Sequence, residues 1–292
     1  MKKQKNNFKL ILGSFLRFIP SKLYLKIVYR FKTGRKINFK NPVGFNEKLN
    51  WLKINNRDSR LEKYVDKISA RQIVADKIGS KYLIPILGEW SSFDDIDFDA
   101  LPDSFVLKCN HDSGSVKIIK NKKELSNEDI KKMRKFFNKR LKLNLYWHSR
   151  EYPYLNIKPK IFAEKFMIDE EQKELKDYKF FCFDGVPKLF YVAKNRDTET
   201  TFDFYDMDCN SLNIVNTHSN SNQKLSGKPP HFDEMVNIVK QLCGGFPFIR
   251  IDLYSTPDGP LFSEFTFFHC GGFYLFHPEE WETRLGSWLE IK

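Results

Sequence analysis

Arg250, Asp252, Glu264 and Thr266 are spaced so that one sheet face can carry them all. They lie in Phe248-Ile-Arg250-Ile-Asp252-Leu-Tyr254 and Leu261-Phe-Ser-Glu264-Phe-Thr266, two alternating runs separated by a Thr-Pro-Asp-Gly-Pro turn. Such runs about strong turn residues predict a β-hairpin. Folding it about Asp258 sets Asp252 opposite Glu264 and Arg250 opposite Thr266. Strand side chains alternate faces, so these four share one side, while Ile249, Ile251 and Leu253 share the other with Ser263, Phe265 and Phe267. Directly opposed like charges destabilise a strand pair. Arg250 offsets part of that, and a divalent cation with oxygen ligands would offset more. The same four residues also fit a solvated hairpin face with a local salt bridge.

Two further groups of cations complete a candidate phosphate inventory. Lys108 lies in a strand that runs into the polar turn His111-Asp112-Ser113-Gly114-Ser115, whose backbone N–H groups can cradle phosphate oxygens. The G-x-x-x-x-G-K-[ST] pattern is absent, and an ordinary hairpin turn fits the same residues. Asp177-Tyr-Lys179 and Lys194-Asn-Arg196 close the two far ends of a second hairpin, an arrangement that brings Lys179 and Arg196 near one another, where opposed cations favour an anion between them; two plain surface cations fit the same residues. Cations, amides and carboxylates together are what phosphoryl transfer needs, because its catalysis is mainly positioning and charge neutralisation.

The elements that hold these residues are legible in coarse form. Helices are expected over 46–54, over 69–78 with Gly79 as C-cap, over 126–143 with Ser126 and Asp129 in capping-box positions, and over 232–242. Strands are expected over 82–90, 105–110, 116–120, 159–167, 178–183, 187–193 and 202–205, with 210–230 a Ser/Asn-rich loop. Antiparallel pairing with helices between the hairpins makes the class α+β.

The net charge of +12 in 292 residues is local. Twelve cations precede Glu47, the first acid, and the remaining 37 balance 37 acids. A neutral body argues against a nucleic-acid footprint. The same segment carries Phe8, Leu12, Phe15, Leu16 and Ile19, then Leu23, Ile27, Val28 and Phe31, with Pro20-Ser21 separating two short helices and Ser21 their expected N-cap. It has no apolar run long enough to span a bilayer and no small-residue cleavage site, so a basic amphipathic arm at the cytoplasmic leaflet and a solvated basic rim packed on the body both fit. Five widely spaced cysteines point to reduced thiols in a cytoplasmic protein, and six histidines without a ligand cluster argue against a zinc enzyme.

Phe45-Asn-Glu-Lys48, Phe105-Val-Leu-Lys-Cys-Asn-His111, Asp177-Tyr-Lys-Phe-Phe-Cys-Phe183 and Arg250-Ile-Asp-Leu-Tyr254 with Glu264-Phe-Thr266 resemble the teichuronopeptide-biosynthesis type of ATP-grasp protein from about residue 20 to the C-terminus. The resemblance implies an ATP-grasp fold whose two α+β subdomains, 104–167 and 168–292, hold ATP between antiparallel sheets, behind an N-terminal region (41–103) and the arm (1–40). It implies that Lys108 and a mobile 111–115 flap contact the phosphates, and that Glu164 and Phe166 lie at the adenine-binding hinge. Asp169 and Glu171 would be near the ribose, with Lys179 and Arg196 on phosphate. Asp252, Glu264 and Thr266 would hold Mg2+, Thr266 standing where the family commonly has Asn. Lys179, Arg196 and Arg250 would serve an ATP-dependent carboxylate–amine ligation through an acyl phosphate, attaching an amino acid to a uronic-acid-containing surface glycan precursor near the inner membrane face. Two rivals stay open: a glycosyltransferase using Asp206-Met-Asp208 for a nucleotide sugar, and a non-catalytic scaffold. His111, His269 and Cys270 are expected as loop contacts near the site, and Gly271-Gly272 as a close approach to substrate or a plain turn.

Overall fold

The structure, a computed structural model, describes residues 17–167, 175–195 and 199–292. Its helices are α1 (Ser21–Thr33), α2 (Phe45–Asn55), α3 (Arg60–Val65), α4 (Ser69–Ile78), α5 (Asn127–Leu141), α6 (Tyr146–Ser149), α7 (Phe232–Leu242) and α8 (Glu280–Trp288). Its strands are β1 (Ile86–Trp90), β2 (Phe105–Cys109), β3 (Val116–Ile119), β4 (Ile161–Lys165), β5 (Asp177–Phe183), β6 (Val186–Lys194), β7 (Thr201–Asp206), β8 (Ser211–Leu212), β9 (Phe248–Thr256) and β10 (Gly259–Thr266). They form a four-stranded sheet in the order β1-β4-β2-β3 and a six-stranded sheet in the order β10-β9-β5-β6-β7-β8. Every pairing between these strands is antiparallel, which makes the expected α+β class the observed one.

Two compact units divide the described chain. The first contains 17–19, Ser59–Arg71 and Ile84–Met167, and the second contains Pro20–Asp58, Gln72–Leu83, 175–195 and 199–292. Within 41–103, residues 41–58 and 72–83 fall in the second unit and 59–71 and 84–103 in the first. In the first unit α5 lays Met133 and Phe137 on one face of the smaller sheet, against Phe105, Leu107, Ile161 and Ala163. Ser126 caps α5 by accepting from the Asp129 amide, as the capping-box spacing requires.

In the second unit α7 covers one face of the larger sheet. Phe232 packs on Phe180 and Phe190, with ring centroids 6.1 and 5.1 Å apart. The β5–β6 hairpin turns at Asp184 and Gly185, both at positive φ. α2 is tied to the C-terminal segment. Asn46 donates from its backbone and side-chain amides to the two Glu282 oxygens at 2.6 and 2.8 Å, and Lys48 donates to the Gly286 and Leu289 carbonyls. Gly286 makes this approach possible, because a Cβ there would lie 2.1 Å from the Val43 carbonyl oxygen.

Two local expectations change. Pro20, in extended backbone, occupies the N-cap position of α1, and Ser21 is its first helical residue. The 257–258 turn is two residues long, so β9 and β10 begin paired about a different centre, Gly259 opposite Thr256 and Phe262 opposite Leu253. A bulge at Ser263 then restores Glu264 opposite Asp252 and Thr266 opposite Arg250. Phe262, not Ser263, therefore takes the buried place beside Leu253.

Candidate functional site

The face of the large sheet opposite α7 carries a transverse row of charge. Lys179 on β5 is directly opposite Asp252 on β9, and Asp252 is directly opposite Glu264 on β10. In the adjacent row Phe181, Arg250 and Thr266 are aligned in the same way. Parity along three antiparallel strands delivers this alignment, and a one-residue slip in any of them would turn its charges into the α7 core.

Asp252 is fully buried and is the anchor. Its Oδ1 accepts from Arg250 Nε at 2.7 Å and its Oδ2 accepts from Arg250 Nη2 at 2.7 Å and from Lys179 Nζ. Burial alone would raise the Asp252 pKa, but the charges and hydrogen bonds of Arg250 and Lys179 outweigh it and hold the group at about 2. Burial opposes the Lys179 charge as well, yet Asp177 at 2.7 Å together with Asp252 pushes its pKa up. Both cations therefore stay charged throughout the working pH range. Arg250 Nη2 also reaches Thr266 Oγ1 at 3.0 Å and Glu264 Oε1 at 3.4 Å. Glu264 is the most exposed of the three carboxylates.

His269 fixes the guanidinium from the far side. Its Nδ1 lies 2.8 Å from Arg250 Nη1 and its Nε2 lies 3.0 Å from Asn216 Oδ1. Burial, with Arg250 beside it, pushes the His269 pKa well below its ordinary value, so the ring is neutral. Arg250 can only donate, and Asn216 Nδ2 is already donating to the Tyr274 and Leu275 carbonyls. The proton must then sit on Nε2. The 269–272 turn that presents His269 is held by α2, where Asn50 donates to the Gly272 carbonyl and Lys53 to the Gly271 carbonyl, each at 2.6 Å. Gly271 and Gly272 have φ near 62° and 65°, and a Cβ on Gly272 would lie 2.8 Å from Asn50 Nδ2.

The donor set can be tested against Mg2+. Among the described residues no group of three or more His, Cys, Asp or Glu side chains is arranged to hold a metal ion. Mg2+ is commonly held by one or two carboxylates together with phosphate oxygens and water. Glu264 fits that role. Asp252 Oδ2 already accepts from two cations and Oδ1 from one, so Asp252 has a single acceptor site left, on Oδ1, and Thr266 offers its hydroxyl while accepting from Arg250. Three carboxylates against two cations leave the cluster one negative charge in excess, which favours a bound cation.

The first unit holds a separate, positive cluster. Lys108 Nζ lies 2.5 Å from Glu164 Oε2, and Arg71 at the start of α4 reaches Glu164 Oε1 at 3.4 Å. Glu164 sits inside β4, its carboxylate committed to these two cations, while Phe166 follows the strand end. The 111–115 turn is tied to its surroundings by several side chains. Arg140 from α5 pairs with Asp112 at 2.7 Å and donates to the Ser113 carbonyl at 2.6 Å, and Lys67 donates to the Asp112 carbonyl at 2.6 Å. His111 Nε2 lies 3.1 Å from the Arg140 carbonyl. Only Ser113 and Gly114 are exposed, so any anion at this turn meets those two residues first.

Arg196, Asp169 and Glu171 lie outside the described residues. Lys179 itself is paired with Tyr191 on β6. Asp206, the candidate metal ligand of the glycosyltransferase reading, spends both oxygens on the β7–β8 turn, accepting from the Asp208 and Asn210 amides and from Asn210 Nδ2. Residues that the sequence did not single out are Arg71, Arg140 and Asn216. Each acts across a gap of 25 or more positions, where no local pattern marks it.

No curated protein matches the chain significantly. Among solved structures, D-alanine–D-alanine ligase from Bacillus anthracis is 16% identical at a TM-score of 0.38, over 77% of this chain and 59% of its own. The ATP-grasp ligase PsnB, complexed with minimal precursor, Mg and ADP, is 12% identical at 0.39, over 76% and 57%. N5-carboxyaminoimidazole ribonucleotide synthetase, in an ADP complex, is 12% identical at 0.40, over 83% and 56%. The chain thus spans less than two thirds of the length of each. A model of the family described as TupA-like ATPgrasp matches residues 47–290, which takes in both sheets and every charged cluster described above, and on that match the chain belongs to the TupA-like ATP-grasp family.

Proposed function

We propose that the protein is a cytoplasmic ATP- and Mg2+-dependent carboxylate–amine ligase that works through an acyl phosphate, joining an amino acid to a uronic-acid-bearing precursor of a cell-surface glycan. Membership of the ATP-grasp family supports the nucleotide and the reaction class. The observation that carries the reading is the row Lys179–Asp252–Glu264 with Arg250 beside it: two permanently charged cations immobilised on one buried carboxylate, next to a carboxylate left accessible.

A substrate carboxylate oxygen attacks the γ-phosphorus in line as the bond to the ADP oxygen breaks, and an amine then attacks the acyl carbon and expels phosphate. Lys179 and Arg250 offset charge on the transferring group and on the later tetrahedral intermediate. Asp177 and Asp252 keep both cations protonated and in place, and His269 sets the guanidinium plane. Glu264, with Asp252 and Thr266 beside it, would hold Mg2+, which when bound would supply positive charge against the phosphate oxygens. Lys108, Arg71 and the exposed backbone of Ser113 and Gly114 bind phosphate, while Glu164 positions the first two of these by pairing with both. By family resemblance Phe166 borders adenine, Asp169 and Glu171 the ribose, and Arg196 a phosphate.

Hydroxylamine in place of the amine tests the acyl phosphate. With ATP, Mg2+ and oligosaccharides bearing uronic acids, the expected result is a hydroxamate formed one-for-one with ADP. Sugar transfer from a nucleotide sugar with no ADP formed would overturn the ligase reading.

A further inference from the structure

Helix α1 is already docked through one face, so what its other face shows is not needed for folding. Tyr24, Leu25 and Tyr29 are buried. Leu23, Ile27 and Phe31, at i, i+4 and i+8, are 50%, 55% and 86% exposed, and Phe18 just before the helix is 86% exposed. Of the ten large exposed hydrophobic residues among those described, these four fall within fourteen positions. Lys22, Lys26 and Arg30 precede them one by one, and all three are exposed. At 3.6 residues per turn the two sets make parallel stripes, one apolar and one cationic, along the outward side of one helix. A contiguous apolar stripe in water has a cost that an occupant removes.

The charge decides which occupant. No acid occurs before Glu47, and twelve cations do. A cationic stripe beside an apolar one matches a bilayer surface with anionic headgroups, where the apolar side chains enter the headgroup–acyl boundary and the cations meet phosphate. The helix lies on such a surface and does not cross it, since no helix among the described residues is long and apolar enough to span. We infer that the outward face of α1 docks the protein on an anionic lipid surface through Leu23, Ile27 and Phe31, flanked by Lys22, Lys26 and Arg30. The inference stands apart from the ligase reading and survives if that reading fails.

Cosedimentation of the full chain with phosphatidylglycerol-rich and pure phosphatidylcholine vesicles tests it. Wild type is expected to pellet with the anionic vesicles only and to be released by salt. Ile27→Asn/Phe31→Ser is expected to weaken partitioning roughly a hundredfold, and Lys26→Gln/Arg30→Gln roughly tenfold or more at low salt. Thermal unfolding unchanged from wild type confirms that these surface variants are folded. Anionic vesicles that leave wild type in the supernatant overturn the proposal. So does undiminished binding by Ile27→Asn/Phe31→Ser, which would assign the lipid contact to residues outside α1. A wild-type dimer that this double variant splits, with no vesicle binding, would make the face a contact between copies instead.

Discussion

Asp252→Asn is expected to cost the protein about 3–5 kcal/mol of stability and to lower ATP turnover by about 10³-fold. The substitution is nearly isosteric, so packing is not the cause. Asp252 is fully buried and is the common acceptor of Arg250 and Lys179. Removing its charge leaves two buried cations with Asp177 and the more distant Glu264 as counter-charges, and removing one partner of a buried ion cluster leaves desolvation uncompensated. The activity loss follows from the same geometry, because Lys179 and Arg250 lose the group that aims them.

The pH dependence gives a second reading of the same variant. The folded pKa of about 2 lies below the ordinary 3.8, so this carboxylate's contribution is fully present above pH about 4 and is lost as pH falls through about 2. The shift corresponds to about 2 kcal/mol. The gap in stability between wild type and variant should therefore narrow on acidification across that window. Denaturant unfolding at a series of pH values checks it, and a gap unchanged down to pH about 2 would contradict the assignment.

Lys179→Met is expected to reduce kcat by about 10²–10³-fold with a much smaller change in the KM for ATP. Methionine keeps most of the length of the side chain and removes its charge. Lys179 is nearly buried, is held charged by Asp177 and Asp252, and stands in the row that ends at Glu264. In the proposed reaction its charge matters most when the phosphoryl group is in transfer, which places the loss on kcat. A structural role alone would lower the amount of folded enzyme and leave the kcat of the folded fraction intact. Active-site titration alongside steady-state kinetics separates the two, and a folded variant with wild-type kcat would exclude Lys179 from the chemistry.

The sequence was most readable where a rule of alternation applied. Opposition of Asp252 to Glu264 and of Arg250 to Thr266 followed from folding the hairpin about Asp258, and the structure has both pairs. The route differs, since a shorter turn is corrected by the Ser263 bulge, and bulges depend on turn geometry that residue types alone leave open. Helices with strong caps, such as α5 behind Ser126, were also legible. α8 was not, because its pattern follows an irregular segment and its docking depends on Glu282 meeting Asn46, 236 positions earlier.

The site shows the same limit. Strand parity brings Lys179, Asp252 and Glu264 into one row, but it does not show that both Asp252 oxygens are taken by cations. Glu164 pairs with Arg71, 93 positions away, and His269 is positioned through Asn216, 53 positions away. On α1 the apolar positions named from helical spacing were Leu23, Ile27, Val28 and Phe31, whereas folding buries Tyr24, Leu25 and Tyr29. That helix carries apolar residues on two faces, and periodicity cannot choose which one the body takes.

Titration calorimetry of ATP into wild type and Glu264→Gln, each with and without Mg2+, tests the central claim most directly. Glu264 is the accessible carboxylate of the cluster and is not the anchor of its cations, so the variant should remain folded. The account predicts Mg2+-dependent ATP binding by wild type and loss of the Mg2+-dependent part in Glu264→Gln. ATP binding by Glu264→Gln that keeps its full Mg2+ dependence, or no ATP binding by folded wild type, would contradict it.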